Sequence, residues 1–289
     1  MKFLVLGCSG MAGHVISLYL KEQGHAVTGF SRRRVDFVEN INGDATDTAL
    51  LTQIVSHNSY DVVINAIGIL NRNAEEHKDR AVFLNAYLPH FLAQLTESKK
   101  TCIFHMSTDC VFKGNTGPYT EKSIPDGETF YDRTKALGEI VDSKNLTLRC
   151  SIVGPDINEN GIGLFNWFMK QKGTILGFTH AFWTGLATTE LARLMLCAAE
   201  QGATGLVNLV PSRHISKCDL LGLFNRTFRK NSVTIVPYDK VRLDKSLTRT
   251  NYALPLPVKD YPEQIEDMRR WVSEHRKLYP NYAEVMNGY

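Results

Sequence analysis

The 289-residue chain has no C-x-x-C pair, no apolar run long enough to span a bilayer, and no block of one charge beyond Arg32-Arg33-Arg34. Each absence excludes a class of function. The six cysteines (Cys8, Cys102, Cys110, Cys150, Cys197 and Cys218) are widely separated, and several sit in apolar runs. That spacing argues against zinc fingers and disulfide frameworks, and reduced thiols packed as small core residues suit a cytoplasmic setting. The nine histidines show no H-x-x-x-H or H-E-x-x-H spacing, so no metal site is expected. With 33 basic against 30 acidic residues, a net charge of +3 gives no footprint for nucleic acid or an anionic membrane surface. The opening Met1-Lys2-Phe3-Leu4-Val5-Leu6-Gly7 has the flavour of a secretion leader, but its apolar run is short and turns into glycines. It reads as a buried first strand.

What is present is an alternation. Short β-rich runs at 2–7, 25–30, 61–66, 101–107 and 146–152 are apolar on both sides of the pleat, as parallel strands covered on both faces must be. Helical patterns at 11–23, 46–57, 75–98 and 129–143 lie between them. This βαβα texture predicts an α/β fold with a doubly wound parallel sheet of the Rossmann type. Beyond residue 153 the alternation breaks at Gly154-Pro155 and an aromatic stretch. A helix at 187–201 and a strand at 205–210 look like further sheet elements, and a terminal helix is expected over 262–276. The predicted division is a dinucleotide domain over 1–153, with 184–210 packing back onto it. A smaller C-terminal substrate lobe takes 154–183 and the proline-bearing 211–289.

Gly7-Cys8-Ser9-Gly10-Met11-Ala12-Gly13 follows the first strand and opens the first helix. Gly7 suits the tight turn, Gly10 lets a pyrophosphate approach the backbone, and Gly13 permits close helix–strand packing. Gly7, Ser9, Gly10, Met11, Ala12 and Gly13 are the loop positions expected at a dinucleotide. At the end of the second strand an NAD site usually carries an acid, whereas here the chain reads Ser31-Arg32-Arg33-Arg34. A guanidinium can pair a 2′-phosphate bidentately, so NADPH is the expected cofactor, with Arg32 its contact. Asp36 leaves NADH use open, and a solvated basic loop is the competing reading for Arg33 and Arg34.

Tyr131 and Lys135, four apart in a helical pattern, share one helix face. A neighbouring ammonium is expected to lower the pKa of the phenol, making Tyr131 a usable proton donor to a carbonyl. The spacing alone is weak. It gains meaning from Ser107-Thr108-Asp109 upstream, at a strand end where doubly wound sheets place ligands. Thr108 can hydrogen-bond the reacting carbonyl, although capping a turn is the competing reading, stronger for Ser107. Arg149 faces a choice between substrate phosphates and a carboxylate, and Phe165, Trp167 and Phe168 between a nucleotide base and the core.

These residues resemble the extended short-chain dehydrogenase/reductases, most of all the dTDP-4-dehydrorhamnose reductase family. The resemblance rests on the glycine loop, Gly43-Asp44, Asn65-Ala66-Ile67-Gly68, Asn85 in FLNA, Ser107-Thr108-Asp109-Cys110-Val111-Phe112-Lys113-Gly114, Gly117-Pro118-Tyr119-Thr120-Glu121 and YDRTKALGE. It implies a catalytic set of Thr108, Tyr131 and Lys135, with Tyr131 and Lys135 also holding the nicotinamide side of the cofactor. It implies Asp44 and Ala45 at the adenine, Ala66, Ile67, Gly68 and Asn85 along the cofactor, and Thr108, Asp109 and Ile152 at the sugar. The implied reaction is hydride transfer to the C4 ketone of a nucleotide-linked 4-keto-6-deoxyhexose, and a homodimer is left open. Cys110 stands where the family usually has tyrosine, Ile152 where it often has tryptophan, and Gly185-Leu186 where it has Pro-Thr. The departures cluster on the substrate side, which leaves the sugar open. A dehydratase is disfavoured, because Cys110 follows Asp109 where that enzyme needs glutamate. A C4 epimerase and a non-catalytic dinucleotide-binding regulatory subunit remain as alternatives.

Overall fold

The computed structural model describes residues 1–251 and 255–286. Strands β1 (Lys2–Leu6), β2 (Ala26–Ser31), β3 (Glu39–Asn42), β4 (Val62–Asn65), β5 (Cys102–Met106), β6 (Leu146–Arg149) and β10 (Gly205–Asn208) form one seven-stranded sheet. Its order is β3-β2-β1-β4-β5-β6-β10, and every pair in it is parallel. The strand order reverses between β1 and β4, which opens a crevice at their carboxyl ends.

The pleat sorts the core. Phe3 and Val5 on β1, with Ile64 and Leu148, bury against helix α1 (Met11–Glu22) and against Leu191 and Met195 farther along the chain. Leu4, Leu6 and Val63 face the other way, against α2 (Thr48–His57) and Leu88 and Leu92. Each fully buried large apolar side chain contributes roughly 1.5–3 kcal/mol. A charge on any of these strands would therefore break a layer.

Between β4 and β5 the predicted single helix is broken into pieces. These are α3 (Asn71–Glu76), α4 (Lys78–Ala81), a π turn (Val82–Tyr87) and α5 (Leu88–Leu95). Helix α6 (Phe130–Leu137) starts on a capping box, in which Thr129 and Asp132 each satisfy the other's backbone N–H. It ends earlier than the sequence pattern suggests. At Gly138 a Cβ would stand 1.9 Å from the Asn85 carbonyl oxygen, so the helix stops where it meets the π turn.

The predicted strand at 146–152 is two, β6 and β7 (Ser151–Val153), the latter leaving the sheet to pair with β9 (Gly185–Ala187). Short α7 (Leu164–Met169) precedes β8 (Thr174–Trp183), and α8 (Thr188–Glu200) covers the main sheet before β10. A second sheet, absent from the sequence reading, has the order β11-β8-β12, with β11 (Ile215–Ser216) and β12 (Thr234–Asp244) on either side of β8. Helix α9 (Lys217–Arg229) packs on it, and α10 (Tyr261–Glu274) and α11 (Ala283–Met286) close the chain. No helix among the described residues is long and apolar enough to cross a membrane.

Candidate active site

A cleft of about 660 Å³ lies at the switch point. Gly7, Ser9 and Gly10 line it just past β1, Arg32 and Arg33 just past β2, Asp44 and Ala45 from the loop after β3, and Ala66, Ile67 and Gly68 just past β4. Gly7 adopts a left-handed φ of +86°, which favours glycine. A Cβ at Gly13 would stand 2.1 Å from the Gly7 carbonyl oxygen, so only glycine lets α1 approach β1 this closely. Gly10 caps α1 without a side chain, leaving the helix amino terminus facing the cleft. A glycine turn, a helix amino terminus and two guanidiniums fit a dinucleotide carrying an extra phosphate.

Other expected cofactor residues stand elsewhere. Met11 packs toward Gly163, Ala12 is buried, and Gly13 serves the helix–strand contact. Asn85 is fully buried and spent on structure. Its side-chain Oδ1 accepts from Ile69 N–H at 2.9 Å, and its side-chain Nδ2 donates to Ile69 O at 3.0 Å and to Thr134 Oγ1 at 3.1 Å. It ties the loop after β4 to α6. Conversely, Asn73, His77 and Arg80 line the cleft unforeseen, and Arg80 pairs with Asp44 at 3.3 Å. Nothing in their spacing marks them, because the breaks between α3, α4 and the π turn decide which way they face. Arg33 also lines the cleft, whereas exposed Arg34 pairs with Asp36 at 3.6 Å.

The catalytic candidates converge at the carboxyl end of β5. Thr108 caps the turn Asp109–Val111, accepting Cys110 N–H at 3.1 Å and donating to Asp109 Oδ1 at 3.1 Å. The Tyr131 phenol lies beside this hydroxyl, whose proton is given to Asp109, so Thr108 caps the turn and borders the phenol. Tyr131 and Lys135 are both buried on α6. The Lys135 ammonium donates to Met106 O at 2.6 Å.

The expected acidic phenol is corrected by this geometry. Burial pushes Tyr131 up, helped by the neighbouring Cys110 thiol and opposed by the Thr108 side chain. Lys135 is the group moved toward neutrality. Burial brings it down to about 8, opposed by Glu139 and Cys150. Burial also raises Asp109, against the pull of Lys217 and Lys245, and raises Cys110 to about 12. Cys110 is thus a neutral thiol beside the phenol. Ile152 pairs with Leu186 across β7 and β9 and packs on the main core.

The open choices of the sequence resolve toward structure. Arg149 grips Glu139 through two hydrogen bonds of 2.7 and 2.6 Å, and Ser107 Oγ donates to the same carboxylate at 2.6 Å. Phe165 and Phe168 are fully buried core, while Trp167 is exposed. All six cysteines are free, and no His/Cys/Asp/Glu cluster suited to a metal occurs among the described residues.

Similarity to known proteins extends over most of the chain. Residues 1–257 match the family model described as RmlD substrate binding domain. A probable low-salt glycan biosynthesis reductase of Haloferax volcanii is 32% identical over 228 residues, covering 74% of this chain and 76% of that protein. The dTDP-4-dehydrorhamnose reductase of Streptomyces griseus is 33% identical over 140 residues, 48% of this chain and 43% of that one. Among solved structures, the dTDP-4-dehydrorhamnose reductase of Bacillus anthracis in complex with NADP superposes with a TM-score of 0.77 at 17% identity, covering 92% of this chain and 98% of that one. With the family model spanning most of its length, the chain belongs to the RmlD substrate binding domain family.

Proposed function

We propose that this protein is an NAD(P)H-dependent oxidoreductase that reduces the C4 ketone of a nucleotide-linked 4-keto-6-deoxyhexose, in deoxysugar biosynthesis. The observation that carries the reading is the buried Thr108–Tyr131–Lys135 cluster at the end of β5, one strand from the phosphate-binding cleft. Relatives named as reductases of 4-keto-6-deoxy sugar nucleotides support it. The cytoplasm is the proposed location, and the β11-β8-β12 sheet with α9 is the proposed substrate lobe.

The cofactor's pyrophosphate would rest on Gly7, Ser9 and Gly10, its adenosine between Arg32, Asp44 and Ala45, and its 2′-phosphate on Arg32 and Arg33. When bound, it supplies the hydride. The chain supplies the proton and the order. Because burial keeps the Tyr131 phenol protonated, its O–H is available as donor to the ketone oxygen. Asp109 fixes the Thr108 hydroxyl beside the phenol, where Thr108 and Tyr131 would together border the ketone oxygen. Lys135, low for an ammonium, is the adjacent group able to exchange a proton at working pH.

The test is NADPH oxidation with several nucleotide-linked 4-keto-6-deoxyhexoses, comparing wild type with Tyr131→Phe. Loss of the donor is expected to cut turnover by roughly 10²–10⁴-fold while NADPH binding is kept. Unchanged turnover in the variant would refute the mechanism.

A further inference from the structure

Two histidines are buried completely, and their ring nitrogens differ in what they meet. His14 is satisfied on both sides. Nδ1–H reaches Gly10 O at 2.9 Å, and Nε2 accepts from the Tyr279 hydroxyl at 2.8 Å, which in turn accepts from Trp271 Nε1 at 2.8 Å. His105 is different. It lies on β5 directly opposite Asn65 of β4, and both are fully buried.

The backbone dictates the tautomer. Asn65 Oδ1 accepts the Ile67 N–H at 3.2 Å, which turns the amide Nδ2 toward His105 Nδ1, 3.3 Å away. An amide nitrogen only donates, so His105 Nδ1 must accept and the ring proton sits on Nε2. That Nε2–H points at Lys135 Nζ, 3.4 Å away. Facing an ammonium, it makes a donor-to-donor contact. Facing a neutral amine, it donates to the nitrogen lone pair, while Nζ still gives a proton to Met106 O at 2.6 Å. The pocket is complementary to the uncharged amine.

We propose that His105, locked by Asn65 as the Nε2-protonated tautomer, is a positioning residue that makes Lys135 an exchangeable proton carrier rather than a fixed cation. This rests on the reading of Lys135 as part of the reductase machinery. The other groups around Lys135 are Tyr131 one turn earlier on its own helix, Glu139 just past the end of that helix, Cys150 just past β6, and Arg149, which neutralises Glu139. Glu139 favours the ammonium and His105 opposes it. Burial of the imidazole, the Asn65 amide and the amine keeps solvent from relaxing the contact. Burial alone already brings Lys135 low, and it holds His105 far below the usual imidazole range, with Lys135 and His90 adding to the same effect.

The test combines pH profiles with a direct view of the ring. In the wild type, kcat/KM for NADPH-dependent reduction should fall on an alkaline limb set by Lys135. His105→Gln, whose amide can turn its oxygen to the ammonium, should move that limb up by about one pH unit or more. Asn65→Asp should do the same by drawing the ring proton to Nδ1, so that Nε2 accepts from Lys135. NADPH affinity, measured by fluorescence titration, should stay within about threefold, which separates this role from a merely structural one. Nitrogen-15 spectra of the wild type should show His105 protonated on Nε2, a result that needs no variant to fold. A ring protonated on Nδ1, or an unmoved limb in a variant that binds NADPH normally, would overturn the proposal. Turnover surviving in Tyr131→Phe would instead overturn the reductase mechanism and leave the tautomer standing.

Discussion

Arg149→Met isolates a buried charge, Glu139, two residues past the end of α6. In the native chain the Arg149 and Glu139 side chains are 3% and 6% exposed, bonded twice to each other, with Ser107 completing the carboxylate and the Phe112 ring 5.1 Å beneath the guanidinium. Methionine keeps the apolar stem over Phe112 but removes every donor. Glu139 is then left in the interior with only the Ser107 hydroxyl. Breaking such a pair from one side costs about 3–5 kcal/mol, whereas replacing both charges by apolar groups is often close to neutral. The single variant should therefore lose about 3–5 kcal/mol in urea denaturation, seen as a lower midpoint at unchanged slope. Glu139→Leu should lose a similar amount by stranding the guanidinium. The double variant should lose far less than the two losses added, a coupling of several kcal/mol. A single-variant loss below about 1 kcal/mol, or simple additivity, would show that the pair is not the buried, mutually dependent unit described above.

Gly13→Ala places a Cβ 2.1 Å from the Gly7 carbonyl oxygen, forcing α1 off β1; NADPH affinity should fall more than about tenfold by fluorescence titration, and an unchanged Kd would mean the contact is not obligatory. Arg32→Ala should weaken NADPH by roughly tenfold or more, the worth of a charged hydrogen bond, yet leave NADH almost untouched. Equal losses for both cofactors would remove Arg32 from 2′-phosphate recognition. His14, brought down to about 4 by burial, stays neutral in the fold while an unfolded chain takes up a proton near 6.5. Stability from this residue is thus fully present above 6.5 and is lost as pH falls toward 4, about 3 kcal/mol in all. His14→Gln should flatten the dependence of unfolding free energy on pH by up to one proton in that window; an identical slope would show that His14 titrates normally.

The parallel sheet was legible because its central strands must be apolar on both faces, and runs such as KFLVL and VVIN carry that requirement openly. The edge strand β3, ENIN, pairs on one side only and has a polar sequence that betrays nothing. The β11-β8-β12 sheet was hidden for another reason. Its parallel partners β8 and β12 lie some sixty residues apart, and β12 is largely exposed, so neither carries a continuous apolar signal.

At the site, motif spacing named the groups but not their chemistry. Tyr-x-x-x-Lys puts both side chains on one face of α6, and that much is geometry any helix would supply. Whether the phenol is acidic depends on what closes over it, and here closure raises it. Whether the lysine is a fixed cation depends on a tautomer two strands deep, set by the Ile67 N–H acting through Asn65 and His105. Asn65 stands out in sequence only as part of Asn65-Ala66-Ile67-Gly68, and His105 reads as an ordinary polar residue in a strand. Their meaning comes from register: β4 and β5 align so that residues 65 and 105 face each other. Position along a motif therefore points to the proposed acid and its neighbour, while protonation state is a property of the packed sheet beneath them. A relative that kept Tyr131 and Lys135 but lost the 65–105 pairing should thus hold its lysine charged to higher pH.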